Sequence, residues 1–407
     1  MIRMFNKQYG YFLPAFLYIN IDEDIDFNNF KGCPDEVKGT FIHEYCHYLQ
    51  DVSTTFGYMN FLNGFQDFLS KIYIKDEDSE TEQILYHNNC FNCMHHGDSD
   101  IEGYRGNIVA INKVCFIEDN FIKGKYPDED CTYASVTCNG SMEFNFGNFC
   151  IMESMAYLVE KRLYGTGTAI DDFPYKVCEM ICEKEYAEFA HNEINIMALC
   201  ELALLEVAGG KFFIKALRLM KEKNFIPHSV IELEEFIDKH FKIGFRGDRK
   251  KIVELLQELY PDGIVDFEPI RKWIVSRYDI GCEYREKSKC FISLMLSVEE
   301  RKRFDLWNLM MEDFGCPNVI NKNGQLSSGA YLSNGQVDIG YMLAPMAINE
   351  LLNATKDKIQ QCALTKICRA FTEGSSFDEL CESNPRKKAG EQWLCPLGVF
   401  LNLYHLA

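Results

Sequence analysis

Apolar residues recur at helical spacing along much of this chain. In residues 34–55 they follow one another at steps of three or four, and they are Val37, Phe41, Tyr45, Tyr48 and Val52. This spacing places side chains on one face of an α-helix. Pro34 suits the first turn, and the two acidic residues after it suit the positive end of the helix dipole. The pattern predicts a helix over about 34–55 that is apolar on most of its surface, as in a helix that crosses a core.

The same spacing predicts helices through most of the remaining sequence. A second helix is expected from about residue 59 to 74, and another over about 148–164 with Asn148 as N-cap and Gly165 as C-cap. From residue 173 onward the chain is expected to be mainly helical. The predicted helices there are 174–187, 192–207, 211–223, 229–242, 248–260, 267–279, 297–313, 340–355 and 357–371, with a break at Gly209-Gly210.

Shorter segments predict a smaller β component. Two strand-like runs, 133–138 and 141–146, flank Asn139-Gly140, and this dipeptide between such runs is a strong hairpin signal. A strand is expected at 107–116, and the remaining β segments are a strand or hairpin within residues 1–32 and an excursion at 317–337. A polar, acidic stretch at 75–105 is expected to be an exposed excursion. The expected fold class is therefore α+β, mainly helical, with a small hairpin or sheet region.

Composition narrows the class of protein. The 407 residues carry a net charge of −19, and 47 % of them are hydrophobic, which is typical of soluble globular proteins with two or three domains. Because binding to phosphates needs concentrated Lys and Arg, the acidic surplus argues against nucleic acid as a partner. No apolar run reaches the roughly 18–20 residues that span a bilayer, so no membrane association is expected.

Cysteine is abundant, with 18 residues, but its placement does not indicate a disulfide framework. Several cysteines lie inside apolar helical patterns, where they behave as small buried hydrophobes. The N-terminal residues lack a signal-peptide pattern. We therefore expect reduced thiols and a cytoplasmic location.

The pentapeptide His43-Glu44-Tyr45-Cys46-His47 carries the most specific chemistry in the sequence. It fits the HExxH pattern, and on a helix residues i and i+4 share a face, so both imidazoles can reach one metal ion. Glu44 can approach a water at that ion without being a ligand itself. Cys46 projects from another side of the helix and is expected in the core. This geometry is typical of a zinc hydrolase.

A catalytic zinc ion usually has three protein ligands, and the best third candidate is Glu153. It lies between Met152 and Met155 in an otherwise apolar helix. A buried, unpaired carboxylate is costly, so Glu153 should meet a cation there. The alternative is a half-exposed glutamate at the rim of the apolar stripe.

Together, His43-Glu44-Tyr45-Cys46-His47 and Glu153-Ser154-Met155-Ala156 resemble the motifs of the gluzincin class of zinc metallopeptidases. The resemblance implies that His43, His47 and Glu153 bind Zn²⁺ and that Glu44 is the general base. It also implies a zincin-like catalytic domain, here expected over residues 1–210, followed by a mainly helical recognition or regulatory domain over 211–407. Tyr157 stands where the family usually has an aspartate, four residues after the ligand glutamate.

Supporting roles are less determined by the sequence. Asp51, four residues after His47, is a candidate acceptor for the second nitrogen of that imidazole, and a surface aspartate is the equal alternative. An oxyanion-stabilising group is also needed. The candidates for it are Tyr157, Tyr175, Tyr186 and His191.

Two other groups of cysteines are candidate metal sites. The first combines a CxxC pair with two histidines in a polar segment, and its residues are Cys90, Cys93, His95 and His96. A surface loop with reduced thiols is favoured over a metal site there, because a lone CxxC pair is a weak signal. The second is a widely spaced set near the end of the sequence, for which zinc is the less favoured reading. Its members are Cys362, Cys368, Cys381 and Cys395.

The expected function is hydrolysis of peptide bonds in a selective protein or peptide substrate by a cytoplasmic zinc metallopeptidase. A regulatory protein partner is an open alternative for the second half of the chain. Two rival hypotheses remain. One is a zinc-binding scaffold or interaction protein without catalysis, and the other is a helical protein in which the motif is coincidental.

Overall fold

The structure, a computed structural model, describes most of the chain. The described residues are 10–13, 17–26, 29–73, 94–101, 108–125, 128, 130–165, 171–263, 265–323, 326–327, 339–353, 361–371, 377–391 and 395–406. In these ranges the chain is mostly helical with small sheets, so the expected α+β, mainly helical class is confirmed there. Much of the polar stretch at 75–105 and all of 328–337 lie outside the described residues.

The described strands form two small sheets. The strands are β1 Gly10–Leu13, β2 Tyr18–Ile21, β3 Ile111–Glu118, β4 Thr132–Cys138, β5 Met142–Phe146, β6 Asn318–Ile320 and β7 Leu326–Ser327. One sheet has the order β1-β2-β6-β7, and the other has the order β3-β4-β5. In the first sheet β2 pairs with β6 in parallel, with Tyr18 opposite Asn318. The start and the last quarter of the sequence therefore share a sheet.

The helices account for most of the chain that the structure describes. They are α1 Asp35–Ser53, α2 Thr55–Tyr73, α3 Asn120–Lys125, α4 Asn148–Tyr164, α5 Asp172–Tyr175, α6 Val177–Glu185, α7 Ala187–Ala190, α8 Glu193–Ala203, α9 Gly209–Glu222, α10 Val230–Phe241, α11 Arg249–Leu259, α12 Glu268–Lys287, α13 Phe291–Leu296, α14 Glu300–Phe314, α15 Ile339–Asn353, α16 Thr365–Phe371, α17 Glu379–Ser383, α18 Pro385–Glu391 and α19 Pro396–Leu403. Among these described helices, none is long and apolar enough to cross a membrane.

Most local predictions near the candidate site are confirmed. The Asn139-Gly140 hairpin joins β4 and β5, with φ of 48° and 89° at the two residues, as a type I′ turn requires. Gly165 ends α4 in the left-handed conformation. Asn148, however, is not the N-cap: Gly147 is, and the Asn148 amide donates a hydrogen bond to the carbonyl of Val207. The predicted break at Gly209-Gly210 is also misplaced, since both glycines open α9.

Helix α1 lies at the centre of the molecule. Every residue of Phe41–Ser53 is buried. Helices α2, α4 and α12 and the strands β1 and β2 pack around it. The Tyr45 and Tyr48 hydroxyls donate to the carbonyls of Gly315 and Phe314, at 2.8 and 2.9 Å, so the aromatic side chains of α1 contact the C-terminal end of α14 as well. The expectation of a helix that crosses a core is confirmed.

A buried ion pair joins the end of α1 to the second half of the chain. Arg285 on α12 contacts Glu201 on α8 at 2.5 Å, and it also donates to the carbonyl and hydroxyl of Ser53. The Glu201 carboxylate accepts further hydrogen bonds from the backbone of Ile292 and from Ser293. Breaking such a fully satisfied buried pair typically costs about 3–5 kcal/mol. The pair therefore holds α1, α8, α12 and α13 in register.

The two domains expected at 1–210 and 211–407 share contacts across that boundary. Buried apolar side chains from both sides belong to one continuous hydrophobic core. The division at residue 210 stays a prediction.

Close packing of α12 against α1 depends on Gly281. A Cβ atom at this position would lie 2.1 Å from the Val52 carbonyl oxygen and 3.0 Å from the Ser53 Cα. Backbone atoms cannot move aside as a flexible side chain can, so the two helices approach this closely because residue 281 has no side chain.

We expect Gly281→Ala to lower the free energy of unfolding by about 1–3 kcal/mol, the usual cost of overpacking. The matched control is Gly124→Ala in α3, where an added Cβ meets no atom within 4 Å. That change should be neutral or stabilising by up to about 1 kcal/mol. Chemical denaturation of both variants measures the difference, and equal effects would contradict the proposed contact between α1 and α12.

Candidate metal centre

The site forms where α1 and α4 lie side by side. Helix α1 supplies His43, Glu44 and His47, and α4 supplies Glu153. All four are buried, each with 5–8 % of its surface exposed. The structure therefore brings together the three predicted ligands and the predicted general base.

The three ligand side chains converge on one point. The Nε2 atom of His43 lies 3.2 Å from one carboxylate oxygen of Glu153, and the Nε2 atom of His47 lies 3.5 Å from the other. Among the described residues, these three form the group of His, Cys, Asp or Glu side chains whose ligand atoms all lie within 4.8 Å of one another. A buried cluster of this composition can hold a metal ion.

The distances can be compared with the geometry of zinc. A tetrahedral zinc ion with nitrogen and oxygen ligands at about 2.0–2.2 Å separates its ligand atoms by roughly 3.3–3.6 Å. The observed 3.2 and 3.5 Å separations in the His43, His47 and Glu153 group are close to this range. Two imidazoles and one carboxylate are also a donor set that zinc accepts. The residues present fit the metal that the sequence predicts.

A glutamine fixes the orientation of His47, which the sequence analysis missed. The Gln50 amide group donates to the Met152 carbonyl at 3.1 Å, so its oxygen faces the Nδ1 atom of His47 at 2.9 Å. An oxygen there requires the proton on Nδ1, which leaves the Nε2 lone pair for a metal. The signal was an uncharged polar residue three positions after His47 in a buried helix.

Asp51, the acceptor that the sequence suggested, does not take this role. It is 1 % exposed, and neither carboxylate oxygen has a hydrogen-bond partner. Its side chain is one methylene shorter than that of Gln50, and it lies one position further round the helix. The alternative of a surface aspartate is wrong as well, since Asp51 is buried.

Glu160 plays the equivalent part for His43. Its carboxylate lies 3.3 Å from the Nδ1 atom of His43. Glu160 follows Glu153 by seven residues, two turns of α4, so both carboxylates lie on the same face. The gluzincin pattern has an aspartate four residues after the ligand glutamate, where this chain has Tyr157. The Nζ atom of Lys161 lies 5.8 Å from the centre of the Tyr157 ring, and the charges that act most on the pKa of this phenol are those of Lys161 and Glu179.

The electrostatics of the site favour a cation. Burial alone would lower the pKa of His43, but hydrogen bonds to Glu153 and Glu160 raise it well above its usual value. Burial alone would raise the pKa of Glu153, but His47 and His43 lower it well below its usual range. A positive charge at His43 therefore balances these carboxylates, and a bound metal ion would replace that proton.

Tyr175 stands out among the candidates for stabilising an oxyanion. Its ring centroid is 5.8 Å from that of His43. Burial and the charges of Glu153, Glu44 and Glu160 raise the pKa of its phenol well above 10, so the group remains a hydrogen-bond donor. His191 is exposed. The charged group that acts on Tyr186 is Glu188, which is not part of the site.

The alternative loop site is described in part. Cys90 and Cys93 lie outside the described residues. His96 stacks on Phe149, with ring centroids 5.6 Å apart, and burial lowers its pKa. The charge of Glu153 acts on this pKa in the opposite direction.

The comparisons with known proteins found no relative. No protein-family model, no curated protein and no solved structure matches the chain. The resemblance to gluzincins therefore depends on the two sequence motifs and on the geometry of the residues in them.

We expect Glu160→Gln to weaken zinc binding by about 10–100-fold, because outer partners of ligating histidines commonly contribute this much. Asp51→Asn is the matched control. It makes the same change from carboxylate to amide at a buried position that contacts no ligand, and it should leave the affinity unchanged. Competition with a chromophoric chelator measures both constants. Equal losses in the two variants would contradict the role assigned to Glu160.

Asp51 itself should make stability depend on pH. Burial raises the pKa of the Asp51 carboxyl well above its ordinary value. In the unfolded chain the carboxyl ionises near pH 4, so the folded state binds more protons above that pH and stability falls as pH rises. Asp51→Asn should remove up to about 1.4 kcal/mol per pH unit from this slope. Denaturation between pH 4 and 8 tests it, and parallel curves for the two proteins would contradict it.

Proposed function

We propose that this chain is a zinc metallopeptidase that cleaves a protein or peptide substrate. The observation that carries the proposal is the buried cluster of His43, His47 and Glu153, with Glu44 adjacent to the first histidine. The chemistry that zinc supplies when held by such a set is activation of water and polarisation of a carbonyl group.

Glu44 would act as the general base. Its carboxylate takes a proton from the attacking water and passes it to the leaving amine. Burial raises the pKa of Glu44, although His43 and His47 act in the opposite direction. A carboxylate with a raised pKa accepts a proton more readily near neutral pH. The geometry of α1 supports this role, since Glu44 lies beside both histidines without being one of the three ligands.

Tyr175 would complete the machinery. Its phenol remains protonated, so it can donate a hydrogen bond to the negative charge that develops on the carbonyl oxygen. Its ring lies against His43, which places the donor at the edge of the ligand cluster.

A strand beside Glu44 supports a peptide as the substrate. Strand β1 is at the edge of its sheet, with no strand on its other side among the described residues. A Cβ atom at Gly10 of β1 would lie 3.4 Å from the Cγ atom of Glu44. Extended peptides bind by adding a strand to such an edge, and one bound here would run close to the general base.

A non-catalytic zinc site is the second candidate. Its support is the burial of the ligands, since a catalytic site keeps one position open to water or substrate, whereas a structural site is closed. In that case the metal would stiffen the contact between α1 and α4.

Glu44→Gln separates the two candidates. If the chain is a peptidase, the variant should retain its zinc, because Glu44 is not a ligand, and should lose cleavage by at least about 100-fold, a typical contribution of a general base. The assay is cleavage of a quenched fluorescent peptide library, with zinc content measured on the same samples. The control is Glu36→Gln, an exposed glutamate on the same helix.

Two results would overturn the proposal. Cleavage that survives Glu44→Gln would exclude this mechanism. Wild-type protein that holds zinc at His43, His47 and Glu153 but produces no new peptide ends, in the library or in a cell lysate, would favour the structural site.

A further inference from the structure

A second group of potential metal ligands lies in the C-terminal part of the described chain. Four cysteines from separate elements line one small cavity. They are Cys362 before α16, Cys368 within α16, Cys381 within α17 and Cys395 at the N-cap of α19. In the sequence these cysteines are widely spaced, and their spacing alone does not indicate that they lie close together. The fold brings cysteines that are up to 33 positions apart to the lining of one cavity.

Backbone donors face two of these sulfur atoms. The Leu364 N–H hydrogen-bonds Cys362, and the N–H groups of Leu397 and Gly398, in the first turn of α19, hydrogen-bond Cys395. A thiol is a weak acceptor, whereas a thiolate accepts such bonds well and is stabilised by a helix N-terminus. These contacts therefore suit negatively charged sulfur.

A buried cation lies beside the same cavity. Lys388 is 2 % exposed, lines the cavity, and pairs with Asp378 at 2.5 Å. Its charge favours the ionised form of Cys395. Four thiolates around a divalent ion carry a net charge of −2, so a neighbouring lysine offsets part of the excess negative charge.

Burial works against the ionised form of two of these thiols. Burial raises the pKa of Cys362 to about 12 and also raises that of Cys395. The hydroxyl of Thr365, another residue that lines the cavity, is buried with no hydrogen-bond partner. Sulfur atoms and a hydroxyl oxygen around one cavity can coordinate or hydrogen-bond to a bound ion and its ligands, whereas an empty apolar cavity leaves the hydroxyl of Thr365 without a partner.

The size of the cavity indicates a single ion. Its volume is about 10 Å³, close to the space that one water molecule needs. No three of the four sulfur atoms lie within 4.8 Å of one another. Zinc–sulfur bonds are about 2.3 Å long, so side-chain rotation would have to draw the thiols inward.

We propose that Cys362, Cys368, Cys381 and Cys395 form a structural zinc site, separate from the centre at His43, His47 and Glu153. Four-cysteine zinc sites are closed and stabilise folds directly. The helices α16 to α19 have five to eight residues each, too short to be stable alone in water. The ion would join α16, α17 and α19 to one another. It would thereby support the end of α19, where the Tyr404 hydroxyl donates a hydrogen bond to the Leu259 carbonyl.

Cobalt substitution of the full chain tests the proposal. Cobalt bound by thiolates gives sulfur-to-metal charge-transfer absorption in the near ultraviolet, and the site at His43, His47 and Glu153 contains no sulfur ligand. Wild-type protein and His43→Ala should both show the band. Cys381→Ser and Cys395→Ser should each lose most of this absorption band. The zinc-loaded forms of the same two variants should hold one zinc ion in place of two. Cys282→Ser, a half-buried cysteine on α12, is the matched control and should retain both.

A second measurement uses wild-type protein, so its result does not depend on whether the cysteine variants fold. Alkylation of wild-type protein with and without a strong chelator, read by mass spectrometry, should show these four cysteines reacting faster once metal is removed. Wild-type protein without the band and without chelator-dependent alkylation would overturn the proposal. So would disulfides among these cysteines, or iron with labile sulfide in place of zinc.

Discussion

Helix α1 has no solvent-facing side from Phe41 to Ser53, and this burial constrains everything around the candidate centre. Little of this stretch contacts solvent, so each polar group in it must find a protein partner, bind a cation or remain unsatisfied at a cost. His43 and His47 meet Glu153, and their second nitrogens meet Glu160 and Gln50. His43, His47 and Gln50 thus form a connected line that faces α4.

The same constraint explains how the surroundings of the site are held. Tyr45 and Tyr48 donate hydrogen bonds to the C-terminal end of α14, and Ser53 accepts hydrogen bonds from Arg285 on α12, so other sides of α1 are held as well as the side facing α4. Rotation of α1 about its axis would break these contacts together with those at the metal ligands. The geometry of the ligands is therefore set by contacts on both sides of the helix, which is a requirement for a preorganised site.

The sequence predicted those parts of the site that depend on local periodicity. The helix around residues 34–55, the hairpin at Asn139-Gly140 and the pairing of the HExxH motif with Glu153 follow from spacing and from the cost of a buried carboxylate. Gln50 and Glu160 were missed because their roles depend on the reach of one side chain and on how α1 and α4 align. Asp51 was assigned an acceptor role from its position alone, and only packing decides which side chain reaches His47.

The long-range pairings could not be predicted in the same way. Nothing local indicates that β2 pairs with β6, or that Cys362 and Cys395 line one cavity, because each depends on how some tens or hundreds of intervening residues are arranged. These arrangements are set by the shape of the whole core, in which side chains from both halves interdigitate.

The parallel pairing of β2 with β6 has a consequence for biosynthesis. Tyr18 and its partner Asn318 are 300 positions apart, so a ribosome must translate three quarters of the sequence before the sheet can close. Until then β2 has an unpaired edge, and α1 lacks the neighbours it later gains from α12 and from the residues after α14. Contacts this distant in sequence form slowly and late. The nascent chain therefore carries His43 and Glu44 from the outset, while the environment that surrounds them is assembled near the end of translation.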